Sequence, residues 1–81
     1  MTILVLDGEL LPEALGRLAE GELLIVVDRS ADRLEDLERR FPDPRIRFLI
    51  GDGEVIPIPD ASVDRVLGEG SELELRRVLR K

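Results

Sequence analysis

Three aspartates follow short apolar runs, and carboxylates at such positions can accept hydrogen bonds from a ligand. Asp7 and Asp28 come directly after apolar runs, and Asp52 comes two residues after a third. If these runs are parallel strands, their carboxyl ends lie at one edge of the sheet, where open α/β sheets bind ligands. An acid after the second strand is then well placed to bind ribose hydroxyls. The alternative is that these carboxylates are solvated strand ends or helix caps.

The composition excludes several other kinds of chemistry. The chain has no cysteine and no histidine, which rules out a thiolate–imidazole zinc site, a cysteine nucleophile and a Ser-His-Asp triad. Eighteen acidic residues against 12 basic ones give a net charge of −6, which argues against nucleic-acid binding because that function needs a basic face. We therefore assign no metal site and no catalytic residue.

Length and hydropathy bound the size and the location of the protein. Eighty-one residues are expected to form one small domain, residues 1–81, with a thin core. No stretch reaches the ~18 consecutive apolar residues of a membrane span, and the N-terminus lacks the basic region of a signal peptide, so we expect a cytoplasmic protein without membrane contact. The absence of Asn, Gln and Cys resembles thermophile composition, although the preference for Arg over Lys also fits a genome's base composition.

Strands and helices alternate along the chain and position the three aspartates. Apolar runs at residues 3–6, 23–27 and 45–50 predict strands buried on both faces, and residues 63–67 predict a weaker fourth strand. Helices are predicted at 12–21, at 31–41 and after Ser71. Right-handed crossovers would then give an open parallel α/β sheet with helices on both faces.

Two serines are predicted to start helices. Ser30 precedes a helix with apolar residues at steps of three and four, and it suits the N-cap position. Ser71 is followed three residues later by Glu74, which is the spacing of a capping box. Both serines are therefore interpreted as helix caps.

Two stretches of the sequence resemble class I S-adenosylmethionine-dependent methyltransferases. The stretch IVVDRS at residues 25–30, with the helix behind it, is similar to the family's second strand and following helix. The stretch GDGEVIPIPDASVDRVL at residues 51–67 is similar to the family's acidic loop and fourth strand, and it is the most specific part of a likeness that covers residues 23–80. The resemblance implies a Rossmann-like half with about four parallel strands in the order 3-2-1-4.

The resemblance also implies roles for five residues in binding S-adenosylmethionine. Asp28 would accept hydrogen bonds from the ribose hydroxyls. Asp52 would lie by the adenine amino group, with the backbone of Gly53 at the edge of the ring. Asp7 matches the acid near the methionine end of the cofactor, and Gly8 is the one glycine of the turn that the family keeps rich in glycine.

The sequence departs from the family in that turn and in length. The residues after Gly8 are bulky: Glu9, Leu10, Leu11 and Pro12. Their side chains are expected to fill the space of the methionine moiety, and Glu9 would repel its carboxylate. A full family member also continues into further strands that complete the sheet. Residues 67–71, where the family often contacts the methyl acceptor, offer only Glu69, interpreted as a solvated loop acid, and Ser71.

One local alternative concerns the pair Asp52 and Gly53. An Asp-Gly pair between two apolar stretches is typical of a type I′ hairpin turn. Pro57 and Pro59 would confine the returning strand to the edge of a sheet. Asp52 would then be a turn residue with no role in binding.

Two functions remain open from the sequence. The first is an abbreviated methyltransferase-like domain without catalysis of its own, acting as an oligomerising or protein-interaction module. Its fourth strand would be an open edge, through which two copies would pair as a homodimer by residues Val63, Asp64, Arg65, Val66 and Leu67. The alternative is a domain that binds S-adenosylmethionine or another adenosine compound. A phosphoacceptor receiver domain is disfavoured because it needs a lysine near a strand end, and the only lysine is Lys81.

Overall fold

A computed structural model describes residues 1–80, which form a four-stranded parallel sheet in the order β3-β2-β1-β4. The strands are β1 (Thr2–Val5), β2 (Leu23–Asp28), β3 (Ile46–Ile50) and β4 (Arg65–Leu67). The helices are α1 (Leu11–Gly16), α2 (Ala31–Arg40) and α3 (Glu72–Val78). The α/β fold class and the strand order are as predicted, and Lys81 lies outside the described residues.

Two apolar layers bury the faces of the sheet. One layer lies beneath α1 and α2, and its buried members are Ile3, Val5, Leu11, Ala14, Leu24, Val26, Leu34, Leu37 and Ile46. The other lies beneath α3 and the β3–β4 loop, and its buried members are Leu4, Val27, Ile56, Ile58, Val63 and Val78. Adjacent side chains of β1 and β2 enter opposite layers because they alternate along a strand, which is why both strands are uninterrupted apolar runs.

The segment after β1 differs most from the prediction. A 3-10 turn, Gly8–Leu10, precedes α1, and the Asp7 side chain caps it by accepting the N–H of Glu9 at 2.9 Å. Helix α1 then ends at Gly16, before the predicted end at Gly21. Among residues 1–80, no helix combines the length and the apolar character that crossing a membrane requires.

The two predicted serine caps have different outcomes. Ser30 Oγ accepts the N–H of Arg33 at 3.1 Å, so the cap of α2 is confirmed. Ser71 makes no side-chain hydrogen bond at the start of α3, so the predicted capping box is wrong. The physical reason is that Glu74 is engaged elsewhere: its Oε1 accepts the N–H of Ile56 at 2.8 Å, which ties the β3–β4 loop to α3.

The β3–β4 loop contains no returning strand after Asp52, so the hairpin alternative is wrong. Asp52 Oδ1 accepts the N–H groups of Glu54 at 2.8 Å and Val55 at 3.0 Å, which closes a turn inside the loop. These donors, first Val55 and then Glu54, lower the pKa of Asp52 below its ordinary value, with a smaller contribution from the charge of Arg29.

The outer edge of β4 is partly covered by the chain that follows α3. Val63 forms an isolated parallel bridge with Leu79. The Val63 N–H donates to the Val78 carbonyl at 3.0 Å, and the Val63 carbonyl accepts the N–H of Arg80 at 2.8 Å. The strand β4 itself runs from Arg65 to Leu67 and not from the predicted Val63, and no residue among 1–80 pairs with the outer edge of these three residues.

Candidate functional site

A cleft of about 400 Å³ opens at the carboxyl edge of the sheet. Its walls come from the ends of β1, β2 and β3, the start of α2 and the loop after β4: Leu6, Asp7, Asp28, Arg29, Ser30, Arg33, Gly51, Asp52, Gly53 and Glu69. Ligand pockets in proteins commonly measure about 300–1,000 Å³. The cleft thus has the size of a small-molecule site and lies where open α/β sheets bind ligands.

Asp28 is the most buried carboxylate of the cleft, with only 8% of its surface exposed. Its Oδ1 accepts the N–H of Ser30 at 2.9 Å, and its Oδ2 accepts the N–H of Gly8 at 2.9 Å and Nη1 of Arg33 at 3.4 Å. Burial alone would raise the pKa of Asp28, but the N–H groups of Ser30 and Gly8 and the guanidinium of Arg33 together lower it. The carboxylate is therefore ionised at neutral pH and acts as a hydrogen-bond acceptor.

Gly8 lies behind Asp28 and is not part of the cleft wall. It lines a neighbouring cavity of about 320 Å³. A Cβ at this position would stand 2.7 Å from Leu37 Cδ1 and 3.0 Å from Asp28 Oδ2, so a larger residue would require these side chains to shift. The N–H of Gly8 thus donates to Asp28 and helps to orient that carboxylate.

The bulky residues after Gly8, which were expected to fill the space of the methionine moiety, do not line the cleft. Leu11 is fully buried beneath α1, and Leu10 packs against the same apolar layer. Pro12 lines the neighbouring cavity, and Glu9 is exposed there. The two leucines turn inward because the 3-10 turn and α1 start directly after Asp7, which points their side chains at the sheet.

Asp52 and Gly53 line the cleft from the β3–β4 loop, and this loop lies against the loop after β4. The Gly53 carbonyl accepts the N–H of Ser71 at 2.7 Å. A Cβ on Gly53 would stand 2.6 Å from the Cα of Gly70, so the two backbones are in direct contact. This contact brings Glu69 to the cleft wall.

Two arginines of the cleft were missed by the sequence reasoning. Arg29 directly follows Asp28, and Arg33 reaches the cleft from the first turn of α2. A signal for Arg33 was present, since the first turn of a helix favours acidic residues and a basic residue there is unusual. Its nearness to Asp28 depends on how α2 packs, which the sequence pattern does not state.

The charge of the cleft is mainly negative. Four carboxylates line it, those of Asp7, Asp28, Asp52 and Glu69, against the two guanidinium groups. No group of acidic side chains within residues 1–80 has the arrangement of a metal site. A neutral or cationic ligand is therefore favoured electrostatically over an anionic one.

No family model matches the sequence, and no curated protein does. Solved structures do match the fold. An S-adenosylmethionine-dependent methyltransferase from Aquifex aeolicus matches with a TM-score of 0.75 and 23% identity, over 99% of this chain and 51% of that one. The YcgJ protein from Bacillus subtilis matches with a TM-score of 0.71 and 20% identity, over 99% of this chain and 39% of that one. A third match is a chain of the complex between the Haloferax volcanii Trm112 methyltransferase activator and a methyltransferase. It has a TM-score of 0.64 and 23% identity, over 80% of this chain and 29% of that one.

These matches confirm the resemblance seen in the sequence at the level of fold. The chain has the four-stranded 3-2-1-4 arrangement of a methyltransferase-like, Rossmann-like domain. It spans about half or less of the length of each of these solved structures. At identities of 20–23% the likeness is one of fold alone.

Proposed function

We propose that the cleft binds the adenosine part of a small ligand, with S-adenosylmethionine as the first candidate. The observation that carries this proposal is the convergence of Asp28, Asp52 and Gly53 on one cleft at the ends of β2 and β3. Asp28 is an ionised, buried acceptor for ribose hydroxyls, and Asp52 is held in place by N–H groups of its own loop. The fold likeness to an S-adenosylmethionine-dependent methyltransferase supports this choice of ligand.

The charge of the cleft supports a ligand that carries a positive group. S-adenosylmethionine has a sulfonium centre and an ammonium group, and its negative carboxylate only partly offsets them. Asp7 and Glu69 lie on the cleft wall together with Asp28 and Asp52, so the sulfonium would lie in a negative environment. A nucleoside with phosphates on its 5′ oxygen would meet the same carboxylates with repulsion.

The described residues supply binding, and we assign them no step of methyl transfer. The bottom of the cleft offers acceptors that would hold the ribose, and Glu69 and Ser71 are the polar side chains of the loop where the related fold often places its methyl acceptor. The domain is then an abbreviated methyltransferase-like module that holds the cofactor and acts together with another protein surface.

Calorimetric titration with S-adenosylmethionine and S-adenosylhomocysteine tests the binding proposal. We expect micromolar dissociation constants, and replacement of Asp28 by asparagine is expected to weaken binding about tenfold or more, since a hydrogen bond to a charged group contributes about 1.5–3 kcal/mol. The matched control is Asp32→Asn on α2, an exposed residue outside the cleft, which should leave binding unchanged. Absence of heat and of thermal stabilisation up to millimolar ligand would contradict the proposal.

A second candidate function is self-association through the edge of β4. Within residues 1–80 this strand pairs only with β1, and the chain after α3 pairs with Val63, just before the strand, but not with Arg65–Leu67. An uncovered strand edge is a template for pairing with another chain. We propose that two copies pair through this remaining edge, which would enlarge the small core by extending the sheet.

Light scattering coupled to size exclusion tests the dimer. We expect twice the 9.1 kDa mass of the chain at micromolar concentration. The Asp64 N–H donates to the Thr2 carbonyl of β1, so the N–H of the next residue, Arg65, points away from β1 toward the outer edge. Proline at position 65 removes that N–H, so Arg65→Pro should abolish dimerisation while the pairing of β1 with β4 survives. A monomeric wild-type protein at high micromolar concentration would rule out this function without affecting the ligand proposal.

A further inference from the structure

The guanidinium of Arg33 lies among three carboxylates at the cleft. Its Nη1 is 3.4 Å from Asp28 Oδ2 and 3.5 Å from Asp7 Oδ1, and its Nη2 is 3.8 Å from Glu9 Oε1. The Arg33 side chain is 45% exposed, and of the three acids only Asp28 is buried. The side chain therefore lies over the one carboxylate that a ribose would need.

Arg33 also separates two cavities. The cleft of about 400 Å³ and the neighbouring cavity of about 320 Å³ share a single lining residue among those described, which is Arg33. The neighbouring cavity carries the acids Glu9 and Asp36 and the cation Arg40, which pairs with Asp36 at 3.4 Å. A guanidinium that leaves Asp28 can thus stay beside the exposed carboxylate of Glu9, which already lies 3.8 Å from Arg33 Nη2.

A count of hydrogen-bond acceptors shows why Arg33 and a ribose compete. A carboxylate offers about four lone-pair positions. Three of those on Asp28 are used, by the N–H groups of Ser30 and Gly8 and by Arg33. A ribose presents two vicinal hydroxyls, so one free position is too few, and release of Arg33 would supply the second.

We infer that Arg33 occupies the ribose subsite of the ligand-free protein and must leave Asp28 before a ribonucleoside can bind there. This inference rests on the proposed binding function. Arg33 is a gating residue, because the strength of its ion pair with Asp28 lowers the affinity of the cleft for the ribonucleoside. A partly exposed ion pair is weak, so the ligand can displace it, and the displacement lowers affinity by the corresponding factor. The ligands concerned are ribonucleosides with both 2′ and 3′ hydroxyls.

The test compares the wild-type chain with Arg33→Met and with a matched control, Arg39→Met. Methionine keeps most of the length of arginine and removes its charge. Arg39 lies on the same helix, pairs with Glu35 at 3.3 Å on the surface, and lines neither cavity. We expect Arg33→Met to bind adenosine and S-adenosylhomocysteine about 2- to 5-fold more tightly than the wild type, and Arg39→Met to match the wild type.

The outcomes separate this inference from the proposed function. If the wild type binds and Arg33→Met binds equally or more weakly, Arg33 does not gate the site and the binding function stands. Binding by Arg33→Met alone would support the gate, because it shows that Arg33 blocks an otherwise competent site. If all three proteins fail to bind at millimolar ligand, both statements are wrong.

A second measurement keeps the inference testable if Arg33→Met does not fold. In the wild type, the NMR signal of the Arg33 Nε–H should change on addition of adenosine, and 2′-deoxyadenosine should bind more weakly because it restores only one of the two hydrogen bonds. An Arg33 signal that stays constant while adenosine binds would overturn the inference.

Discussion

Replacement of Arg77 by methionine is expected to lower the free energy of unfolding by about 1–3 kcal/mol, because the carbonyl of Ile58 would lose its donor. Arg77 lies on α3 and donates to the carbonyls of Ile56 at 2.7 Å and Ile58 at 2.8 Å. Both isoleucines are buried in the layer beneath α3. The Ile56 carbonyl also accepts the N–H of Ile58 at 2.8 Å, so the Ile58 carbonyl is the one that would lose its donor, and a buried carbonyl left without a donor costs about 1–3 kcal/mol.

Two carboxylates complete the network around Arg77. Its Nε donates to Glu74 Oε2 at 2.7 Å, and its Nη1 donates to Asp60 Oδ1 at 2.8 Å. These hydrogen bonds, first to Glu74 and then to Asp60, raise the pKa of Arg77, and Arg77 in turn lowers the pKa of Glu74. One side chain thus fastens the β3–β4 loop to α3 at several points along the loop.

The matched control is Arg76→Met, one residue earlier on α3. Arg76 pairs with Glu72 one turn away on the helix surface, and both side chains are largely exposed. Exposed pairs of this kind contribute little, so Arg76→Met should leave the denaturant midpoint nearly unchanged. Urea unfolding followed by circular dichroism measures both variants, and equal losses in the two would show that Arg77 has no special role.

Replacement of Gly53 by alanine is the second change with a large expected effect. The added Cβ would stand 2.6 Å from the Cα of Gly70 and 2.9 Å from the carbonyl oxygen of Glu69. Both neighbours are backbone atoms, so relief requires the two loops to separate, and overpacking of this kind costs about 1–3 kcal/mol. Asp52 and Glu69 would move with their loops, so ligand binding should be lost together with stability.

Gly16→Ala is the control, with an effect of opposite sign. Gly16 is the last residue of α1, and a Cβ there meets no atom within 4 Å. Alanine in a helix is favoured over glycine by about 0.5–1 kcal/mol, so this variant should unfold at higher urea concentration than the wild type. If Gly53→Ala is as stable as the wild type, the close contact of the two loops does not exist in solution.

The frame of the fold was predictable from local pattern. The runs ILVL and LLIVV could only be strands buried on both faces, since neither shows a polar side, and buried parallel strands require helices above and below. The resemblance supplied the strand order, which no local pattern contains. The acids at the strand ends followed directly, so Asp7, Asp28 and Asp52 were placed at the correct edge before the structure was known.

The details that decide access to the cleft were not predictable from the same patterns. Leu10 and Leu11 were expected to fill the space of the methionine moiety because they replace glycines of the family turn, but the 3-10 turn directs them into the core. Glu74 was assigned to a capping box on its spacing, yet its carboxylate binds Ile56, which is 18 residues earlier. Arg33 is near Asp28 only because α2 packs back over the sheet. Each of these details depends on how one element packs against another, which the pattern within a single element does not contain.

The connection from β3 to β4 has no helix of its own, and this has a consequence for how the domain opens. The loop is joined to the chain around α3 near both ends, by Gly53 with Ser71 and by Val63 with Leu79. Native proteins open in contiguous cooperative units rather than residue by residue. We therefore expect residues 51–80 to open as one such unit, with amide protons that exchange together in hydrogen-exchange measurements, while β2 and α2 retain their protection. A ligand held by Asp52 would slow exchange throughout α3, although it touches none of that helix.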